Sequence, residues 1–277
     1  MKLPTFYIDD IIKRALSEDI NYIDVATDYL IDESAESTAR IVAKDNGILA
    51  GLDVFSRVFE LIDSDITINL NKTDGDSVAK GDIIGTLIGR TASLLKGERT
   101  ALNLLCHMSG IATATNAYVE LVKGTNATIC DTRKTLPSIR ALQKYAVVAG
   151  GGRNHRFNLS DAAMLKDNHI DAYGGIIGAV EALRKKVGHM VKIEVEARNL
   201  TELQHGLDAG ADVIMLDNMD NQTMAKAVEI TNGRAILEAS GNITIDNVAD
   251  VAKTGVDFIS IGALTHSVKV FDISMVL

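Results

Sequence analysis

The segment "KIEVEARNLTELQHGLDAGADVIMLD", residues 192–217, contains two short apolar runs separated by one amphipathic stretch. Each run has the length of a buried strand, and each ends in an acid, Glu196 in the first and Asp217 in the second. The stretch between them has helical spacing and an Ala-Gly ending that is typical of a helix C-terminus. The segment therefore predicts a β-α-β unit with parallel strands.

The same pattern recurs through the second half of the chain. Six apolar runs, 21 to 35 residues apart, each end in a polar residue or a glycine: Asp131, Lys166, Glu196, Asp217, Ser240 and Gly262. In a barrel all the carboxyl ends of the strands meet at one rim, whereas an open sheet uses only the ends beside a switch point. We therefore expect an α/β fold with an incomplete parallel barrel of about six strands over residues 109–267.

The first part of the chain has a different pattern. Between Ala35 and Gly89, β-branched and polar residues alternate between Asp-Gly and Lys-Gly turns, which predicts a sheet. Helical patterns precede and follow this sheet, so we expect an α+β open-sandwich domain over residues 1–108, with residues 268–277 packing back onto it. Within the sheet, "DGDSVAKGDIIG" (residues 74–85) resembles the hairpin of biotinyl and lipoyl carrier domains, although no lysine stands at the tip as a carrier requires.

Composition and charge argue against several classes of function. The 277 residues are 47% hydrophobic and carry a formal net charge of -9, so we expect a large core and neither nucleic-acid nor anionic-membrane binding. No apolar run approaches the length of a membrane span, and the amino terminus has no leader pattern, which predicts a cytoplasmic protein. Cys106 and Cys130 have apolar neighbours and are expected to be buried free thiols.

Positive charge is concentrated between residues 131 and 169, where seven Lys or Arg side chains stand against three Asp side chains. We expect Arg140 and Lys144 on a solvated helix face. The other cations follow predicted strands or the triple glycine at residues 150–152, which lets the backbone approach a ligand closely. Cations at one rim repel each other unless an anion lies among them, so the pattern predicts a multiply charged anionic ligand. These residues are Arg133, Lys134, Arg153, Arg156 and Lys166, together with His155.

The last four predicted strands end in residues that could bind a metal ion, a sugar or a phosphate. Glu196 and Asp217 suit either Mg²⁺ or sugar hydroxyls. "SGN" (residues 240–242) and "IGALTHS" (residues 261–267) place small residues before expected helix starts, where backbone amides can hold phosphate.

Seven segments stand in a characteristic order along the chain: "DTRKT" (131–135), "GGGRNHR" (150–156), "KDNH" (166–169), "EVEA" (194–197), "MLDN" (215–218), "EASGN" (238–242) and "GALTHS" (262–267). Together they closely resemble the quinolinate phosphoribosyltransferase family, also called nicotinate-nucleotide pyrophosphorylase (carboxylating). The resemblance spans nearly the whole chain.

The resemblance implies an enzyme, a pentosyltransferase that moves phosphoribosyl from phosphoribosyl pyrophosphate to quinolinate with Mg²⁺. The products would be nicotinate mononucleotide, pyrophosphate and CO₂, in de novo NAD biosynthesis. Catalytic roles are implied for Lys134, Lys166, Glu196 and Asp217, of which Glu196 and Asp217 are also the candidate Mg²⁺ ligands, directly or through water. Substrate binding is implied for the same four residues and for Arg99, Thr132, Arg133, His155, Arg156, Ser240, Gly241, Asn242, Gly262 and Ala263.

The resemblance also bears on assembly. In the family, an arginine that matches Arg99 reaches the site of the neighbouring subunit, which implies a homodimer with shared sites, or a larger assembly. One departure concerns the loop after Lys134, where the family commonly reads Thr-Thr-Pro-Gly and this chain has Leu136 and Ser138 around Pro137. We expect that loop to differ slightly in shape.

Two alternative functions stay open from the sequence. A related transferase of the same fold, such as the ModD proteins of molybdate gene clusters, would keep the phosphoribosyl-binding groups and use another acceptor. A carrier or binding module is the alternative from a different class, and only residues 74–85 favour it.

Overall fold

The structure is a computed structural model that describes residues 3–277. In chain order the helices and strands are α1 (Thr5–Asp19), α2 (Val25–Leu30), β1 (Glu36–Ala43), β2 (Gly47–Ile48), α3 (Leu52–Ile62), β3 (Thr67–Leu70), β4 (Ser77–Val78), β5 (Ile83–Arg90), α4 (Thr91–Val122), β6 (Thr128–Cys130), α5 (Arg140–Ala149), β7 (Ala163–Leu165), α6 (Asp167–Tyr173), α7 (Ile176–Arg184), β8 (Ile193–Ala197), α8 (Leu200–Asp208), β9 (Val213–Asp217), α9 (Asn221–Thr231), β10 (Ile236–Ser240), α10 (Val248–Ala252), β11 (Phe258–Ser260), α11 (Ala263–His266) and β12 (Ile273–Val276).

The chain divides into two compact units, of which the first, here the N-terminal unit, comprises residues 1–116, 135–151 and 264–277. Its main sheet has the order β12-β1-β5-β3 and is antiparallel throughout. Alternate residues of β1 are buried, as a sheet with one covered face requires. Helix α3 buries Phe55 and Phe59, whose ring centroids lie 5.1 Å apart. The unit therefore has an α+β core, and the last strand of the chain completes its sheet by pairing with β1.

Residues 74–85 do not form the carrier-like hairpin that the sequence suggests. Strand β4 pairs with β2, whereas β5 pairs with β1 and β3. Lys80 lies in the exposed turn between β4 and β5, but this turn is not the tip of a hairpin, so no lysine stands where a carrier requires one, as expected. Because the two flanking strands have different partners, no hairpin presents Lys80, and the resemblance to a carrier module is wrong.

The second unit, here the barrel unit, comprises residues 117–134 and 152–263. Its six strands are all parallel and have the order β6-β11-β10-β9-β8-β7. Within the described residues β6 and β7 form the two edges of this sheet. The structure therefore confirms the expected fold class, an incomplete six-stranded α/β barrel with an antiparallel N-terminal sheet domain.

Both faces of the parallel sheet are covered, which explains why its strands are so apolar. Ile193 and Val195 of β8 are fully buried, and so are Ile214 of β9 and Leu203 of α8. Local signals define the helices that cover this face: the Asn199 side chain caps α8 by accepting from the amides of Thr201 and Glu202, both at 3.0 Å. Gly210, two residues beyond α8, has the left-handed φ of 71° expected after a helix C-terminus.

Two expectations about single residues have opposite outcomes. Cys106 and Cys130 are buried and, within the described residues, form no disulfide, as expected. Lys144 was expected on a solvated helix face, but only 1% of its surface is exposed. Arg140, four residues earlier on the same helix, is half-buried and donates from Nε to the Thr135 hydroxyl at 2.9 Å. The expectation of a solvated face is therefore wrong for α5, because a lysine and an arginine spaced one helical turn apart do not by themselves identify a solvent-facing side.

Among the described residues, no helix combines the length and the apolar character needed to cross a membrane.

Candidate functional site

A pocket with a volume of about 480 Å³ opens at the carboxyl ends of the barrel strands. Side chains from β7, β8, β9, β10 and β11 line it, together with the segments that follow β6 and precede β7. The lining residues are Thr132, Arg133, Lys134, His155, Arg156, Met164, Lys166, Glu196, Met215, Asp217, Asn218, Glu238, Ser240, Gly241, Asn242 and Ser260.

Strand periodicity explains which residues face the pocket. Successive side chains of a strand point to opposite faces, so residues two apart share a face. Met215 and Asp217 share the pocket face of β9, and Glu238 and Ser240 share that of β10. Because Ser240 is in register with Asp217, the polar ends of neighbouring strands come together at one level. The alternate residues on the other face form the apolar core.

The cations enter from loops at the rim. Arg133 and Lys134 lie three and four residues beyond the end of β6, and the Lys134 amide donates to the Thr132 hydroxyl at 3.0 Å. The Arg156 guanidinium donates to the Ala162 carbonyl at 2.8 Å and contacts the Met164 sulfur at 3.6 Å, so its direction is fixed. Burial, and then the charge of Arg133, lower the pKa of Arg156 below its ordinary value. The two guanidinium groups therefore repel each other, and an anion between them would relieve that repulsion.

The acids of the rim lie beside Lys166. The Lys166 ammonium is 3.6 Å from Glu196 Oε1, and its side chain is half-exposed, whereas that of Glu196 is mostly buried. The Lys166 amide donates to His169 Nδ1 at 3.1 Å, which fixes the start of α6. Asp217, on the next strand, accepts from the Asn218 side-chain amide at 3.0 Å. Cationic and anionic groups therefore face the same cavity.

The loops after β9 and β10 are tied to each other. Asn218 Oδ1 accepts from the Asn242 side-chain amide at 3.0 Å, and both asparagines have left-handed φ angles of 55° and 53°. Gly241 has a φ of 95°, and a Cβ atom there would lie only 2.2 Å from Asn218 Oδ1. Only glycine fits this position, and the fit depends on Asn218.

A buried cluster of His155, Glu194 and Glu238 adjoins the pocket, whose lining includes His155 and Glu238 but not Glu194. His155 Nε2 lies 3.2 Å from Glu194 Oε2 and 3.3 Å from Glu238 Oε2. Burial disfavours the imidazolium, but the hydrogen bonds that Nε2 donates to the two carboxylates outweigh it and raise the pKa of His155 above its ordinary value. Burial also raises the pKa of Glu194. On the opposite side of the ring, the Arg156 amide donates to His155 Nδ1 at 2.7 Å, a contact that only the neutral ring with its proton on Nε2 can accept, so this backbone contact favours the neutral ring whereas the two carboxylates favour the imidazolium.

The pocket brings together eleven of the fourteen residues that the family resemblance implies. Arg99 is exposed on α4 in the N-terminal unit, and Gly262 and Ala263 are not part of the lining. A helix starts at Ala263, as expected after "IG", but α10 starts only at Val248, so residues 240–242 do not lead directly into a helix as expected. Sequence reasoning missed five lining residues: Met164, Met215, Asn218, Glu238 and Ser260.

The loop after Lys134 contains one residue with a backbone conformation that is typical of glycine. Ser138 has a φ of 68°, in the left-handed region that favours glycine. Serine here therefore adopts the kind of conformation available to the glycine that is common in the family, at some cost in backbone strain.

Comparisons with known proteins agree along the chain. Residues 24–109 match the family described as quinolinate phosphoribosyl transferase, N-terminal domain, and residues 111–276 match the corresponding C-terminal domain. A Bacillus subtilis (strain 168) protein named probable nicotinate-nucleotide pyrophosphorylase (carboxylating) is 46% identical over 258 residues, which is 93% of this chain and 89% of that protein. A Mycobacterium leprae nicotinate-nucleotide pyrophosphorylase (carboxylating) is 42% identical over 272 residues, 96% of this chain and 95% of that protein.

A solved structure is similar over the full length. The crystal structure of NadC from Streptococcus pyogenes superposes with a TM-score of 0.97 at 43% sequence identity, covering 100% of this chain and 98% of that chain. The two domain matches, the identities and the shared fold agree with each other. This chain belongs to the quinolinate phosphoribosyltransferase family.

Proposed function

We propose that the pocket of the barrel unit is where quinolinate receives the phosphoribosyl group of phosphoribosyl pyrophosphate. The reaction gives nicotinate mononucleotide, pyrophosphate and CO₂, a step of NAD biosynthesis, and it makes the protein a decarboxylating phosphoribosyltransferase. One observation carries the proposal: Arg133, Lys134, Arg156 and Lys166 converge on a single cavity that Glu196 also lines. A dicarboxylate and a polyphosphate sugar together supply the anions that such a cavity requires.

The cations orient both substrates and stabilise the leaving group. Arginine binds carboxylate and phosphate through paired hydrogen bonds, and lysine acts as a point charge. As the bond between ribose C1 and pyrophosphate breaks, the electron pair moves to the leaving oxygen, and Lys134 and Lys166 offset the charge that develops there. The ring nitrogen of quinolinate forms the new bond to C1. The role of the carboxylates of Glu196 and Asp217 is to stabilise the positive charge of the ribose during this exchange.

Decarboxylation follows from the charge on the ribosylated ring. The ring nitrogen is then positive, so the bond to the adjacent carboxylate can break with its electron pair staying on the ring carbon. CO₂ leaves, and a proton from water completes the product. The protein needs no covalent nucleophile in this sequence, and its contribution is binding, orientation and electrostatic stabilisation.

Magnesium fits the acids of the rim. Mg²⁺ is usually bound through one or two carboxylates together with water and substrate phosphates, and Glu196 and Asp217 lie on adjacent strands of one pocket. Neither belongs to a group of three or more acids, histidines or cysteines with converging ligand atoms within the part of the chain that is described. These two residues would therefore hold Mg²⁺ only together with substrate and water. When bound, Mg²⁺ neutralises phosphate charge.

The protein forms a homodimer in which Arg99 enters the pocket of the partner subunit. Arg99 is exposed in the single chain, and so are several large apolar side chains of α1, α2 and the segment between them. Phe6 is 80%, Tyr22 87%, Tyr29 73% and Leu30 80% exposed, which is unusual for an apolar surface that faces water. A second copy of the chain would cover them.

Mixing two inactive variants tests the shared site. Arg99→Ala and Lys134→Ala each disable a different part of the same site, so mixed dimers contain one intact site. With free exchange of subunits, we expect the mixture to regain about a quarter of wild-type activity, because half of the dimers are mixed and each has one working site of two. An active wild type that sediments as a monomer would contradict the dimer.

The function itself is tested by one incubation. The protein, quinolinate, phosphoribosyl pyrophosphate and Mg²⁺ should release CO₂ and form nicotinate mononucleotide in equal amounts. A parallel incubation replaces quinolinate by nicotinate. Turnover with nicotinate alone would favour the related-transferase alternative, and turnover with neither acceptor would contradict the proposed function. The cytoplasmic location stays a prediction.

A further inference from the structure

The buried cluster that adjoins the pocket contains two acids that the reaction scheme does not use, Glu194 and Glu238. Only 6% of the Glu194 side chain and 5% of the Glu238 side chain are exposed, and His155 between them is 12% exposed. Within the described residues, Oε1 of each glutamate is buried and has no hydrogen-bond partner. Two carboxylates in so enclosed a position reduce stability, because each loses its hydration and each repels the other.

The contacts of His155 indicate what these acids do. Its Nε2 faces both carboxylates, its Nδ1 accepts from the Arg156 amide at 2.7 Å, and its own amide donates to Asp131 Oδ1 at 2.9 Å. The ring is therefore held from both sides and has both nitrogens directed at protein atoms. The residue fixed next to it, Arg156, is a pocket cation whose guanidinium is held by the Ala162 carbonyl.

We propose that Glu194 and Glu238 are positioning residues that, through His155, fix Arg156 for the carboxylates of quinolinate. The inference rests on the proposed function of the pocket. It assigns His155 the support of Arg156 in addition to its place in the lining of the pocket. Removing one carboxylate lets the imidazole turn, and the backbone and side chain of Arg156 lose their fixed direction.

If the proposal is correct, removing one of the two charges should weaken the binding of quinolinate without lowering the stability of the protein. In Glu238→Gln the shape of the side chain is kept and one buried charge is removed, so the repulsion between the two acids is lost. We therefore expect a thermal unfolding midpoint equal to or above that of the wild type. We expect the KM for quinolinate to rise about tenfold, since an oriented contact to a charged substrate is weakened. The KM for phosphoribosyl pyrophosphate should stay within about twofold.

The experiment measures steady-state kinetics and thermal unfolding of Glu194→Gln and Glu238→Gln in the full chain. Glu202→Gln is the matched control, because Glu202 is a mostly buried acid of α8 that pairs with Arg198 outside the pocket. The control should leave both KM values unchanged. Glu238→Gln is also combined with His155→Asn: if Glu238 acts through His155, it should change the KM for quinolinate by less than about twofold in that background.

Three outcomes would overturn the proposal. They are a wild-type KM for quinolinate in both glutamine variants, an equal rise in both KM values with a lower unfolding midpoint, and an undiminished effect of Glu238→Gln beside His155→Asn. One equivalent of a divalent metal in the purified protein, lost in Glu238→Gln, would assign the cluster to a metal and also overturn it. A wild type that does not convert quinolinate defeats the proposed function itself, whereas an active wild type with unaffected variants defeats only this inference.

Discussion

The two units each contain a buried acidic group, and the two groups are satisfied differently. In the N-terminal unit, Asp63 Oδ2 accepts from Arg90 Nε and from the Ser93 hydroxyl, both at 2.8 Å, and Oδ1 accepts from the Asp65 amide at 3.1 Å. In the barrel unit, Glu194 and Glu238 share His155 and each has one oxygen with no hydrogen-bond partner among the described residues.

The electrostatic consequences are opposite. The hydrogen bond from Arg90 holds the pKa of Asp63 far below its usual range, which means that the folded state favours the carboxylate. Burial raises the pKa of Glu194, which means that the folded state disfavours its charge. A buried carboxylate whose oxygens are hydrogen-bonded stabilises a fold, whereas a buried carboxylate with an oxygen that has no hydrogen-bond partner destabilises it. The Asp63 cluster therefore contributes to stability, whereas the cluster of Glu194, Glu238 and His155 contributes to the geometry of the pocket at a cost in stability.

The largest expected effect concerns the pocket and leaves stability unaffected. Lys134→Ala and Glu196→Ala should each lower kcat by about a hundredfold or more, because each removes a charge that stabilises the transition state. Lys134 is exposed, so its variant should keep the wild-type free energy of unfolding. Turnover assays and urea unfolding on the same preparations check both parts. Near-normal turnover would remove that residue from the proposed mechanism.

The N-terminal cluster should show the reverse behaviour. Asp63→Asn replaces a charged acceptor by an amide and should lower the free energy of unfolding by about 2 kcal/mol. Its kcat should stay within about twofold of the wild type, since Asp63 belongs to the N-terminal unit and does not line the pocket. Urea unfolding followed by circular dichroism gives the stability. A stable but inactive Asp63→Asn variant would refute the separation of roles.

The same carboxylate predicts part of the response to acid. The pKa of Asp63 is lower in the folded state than in the unfolded chain. Its stabilising contribution to the free energy of unfolding is therefore fully present above the unfolded pKa of about 3.9. As the pH falls below about 4, the unfolded chain takes up the proton first, and stability decreases by up to about 1.4 kcal/mol per pH unit from this group. Unfolding free energies measured between pH 5 and pH 3, as approximate limits, should fall less steeply for Asp63→Asn than for the wild type. Equal slopes would contradict the assignment.

The smallest expected effect comes from a single hydroxyl. Ser93→Ala removes one of the three hydrogen bonds to Asp63 and leaves the Arg90 contact in place, so it should cost about 0.7 kcal/mol of unfolding free energy. A loss as large as that of Asp63→Asn would mean that Ser93, and not Arg90, dominates the cluster. Thermal unfolding of the two variants in parallel distinguishes these cases.

Strand periodicity made the rim of the barrel predictable. Lys166, Asp217 and Ser240 each stand where an apolar run ends, and parallel strands bring such ends together. The buried cluster that adjoins the pocket was missed because Glu194 and Glu238 lie inside apolar runs, which predict buried strands. The available signal was their spacing, since each stands two residues before a predicted site residue on the same strand, Glu196 or Ser240, and therefore shares its face.

Other features depend on long-range packing and could not be inferred locally. Lys144 is buried although its helix carries charges at a spacing typical of a solvated face. The pairing of β4 with β2 could not be inferred, because a turn signal between two strands does not show whether those strands pair with each other. Such cases are decided by partners far away in the sequence.

The contact between Gly241 and Asn218 restricts how this pocket can change over evolutionary time. Any side chain at residue 241 would meet the Asn218 amide and would also be strained by the left-handed φ of 95°, so making space at residue 218 does not by itself permit a substitution at residue 241. Gly241 is thus expected to stay fixed while residue 218 varies, and a search for altered acceptor specificity should randomise residue 218 and keep Gly241.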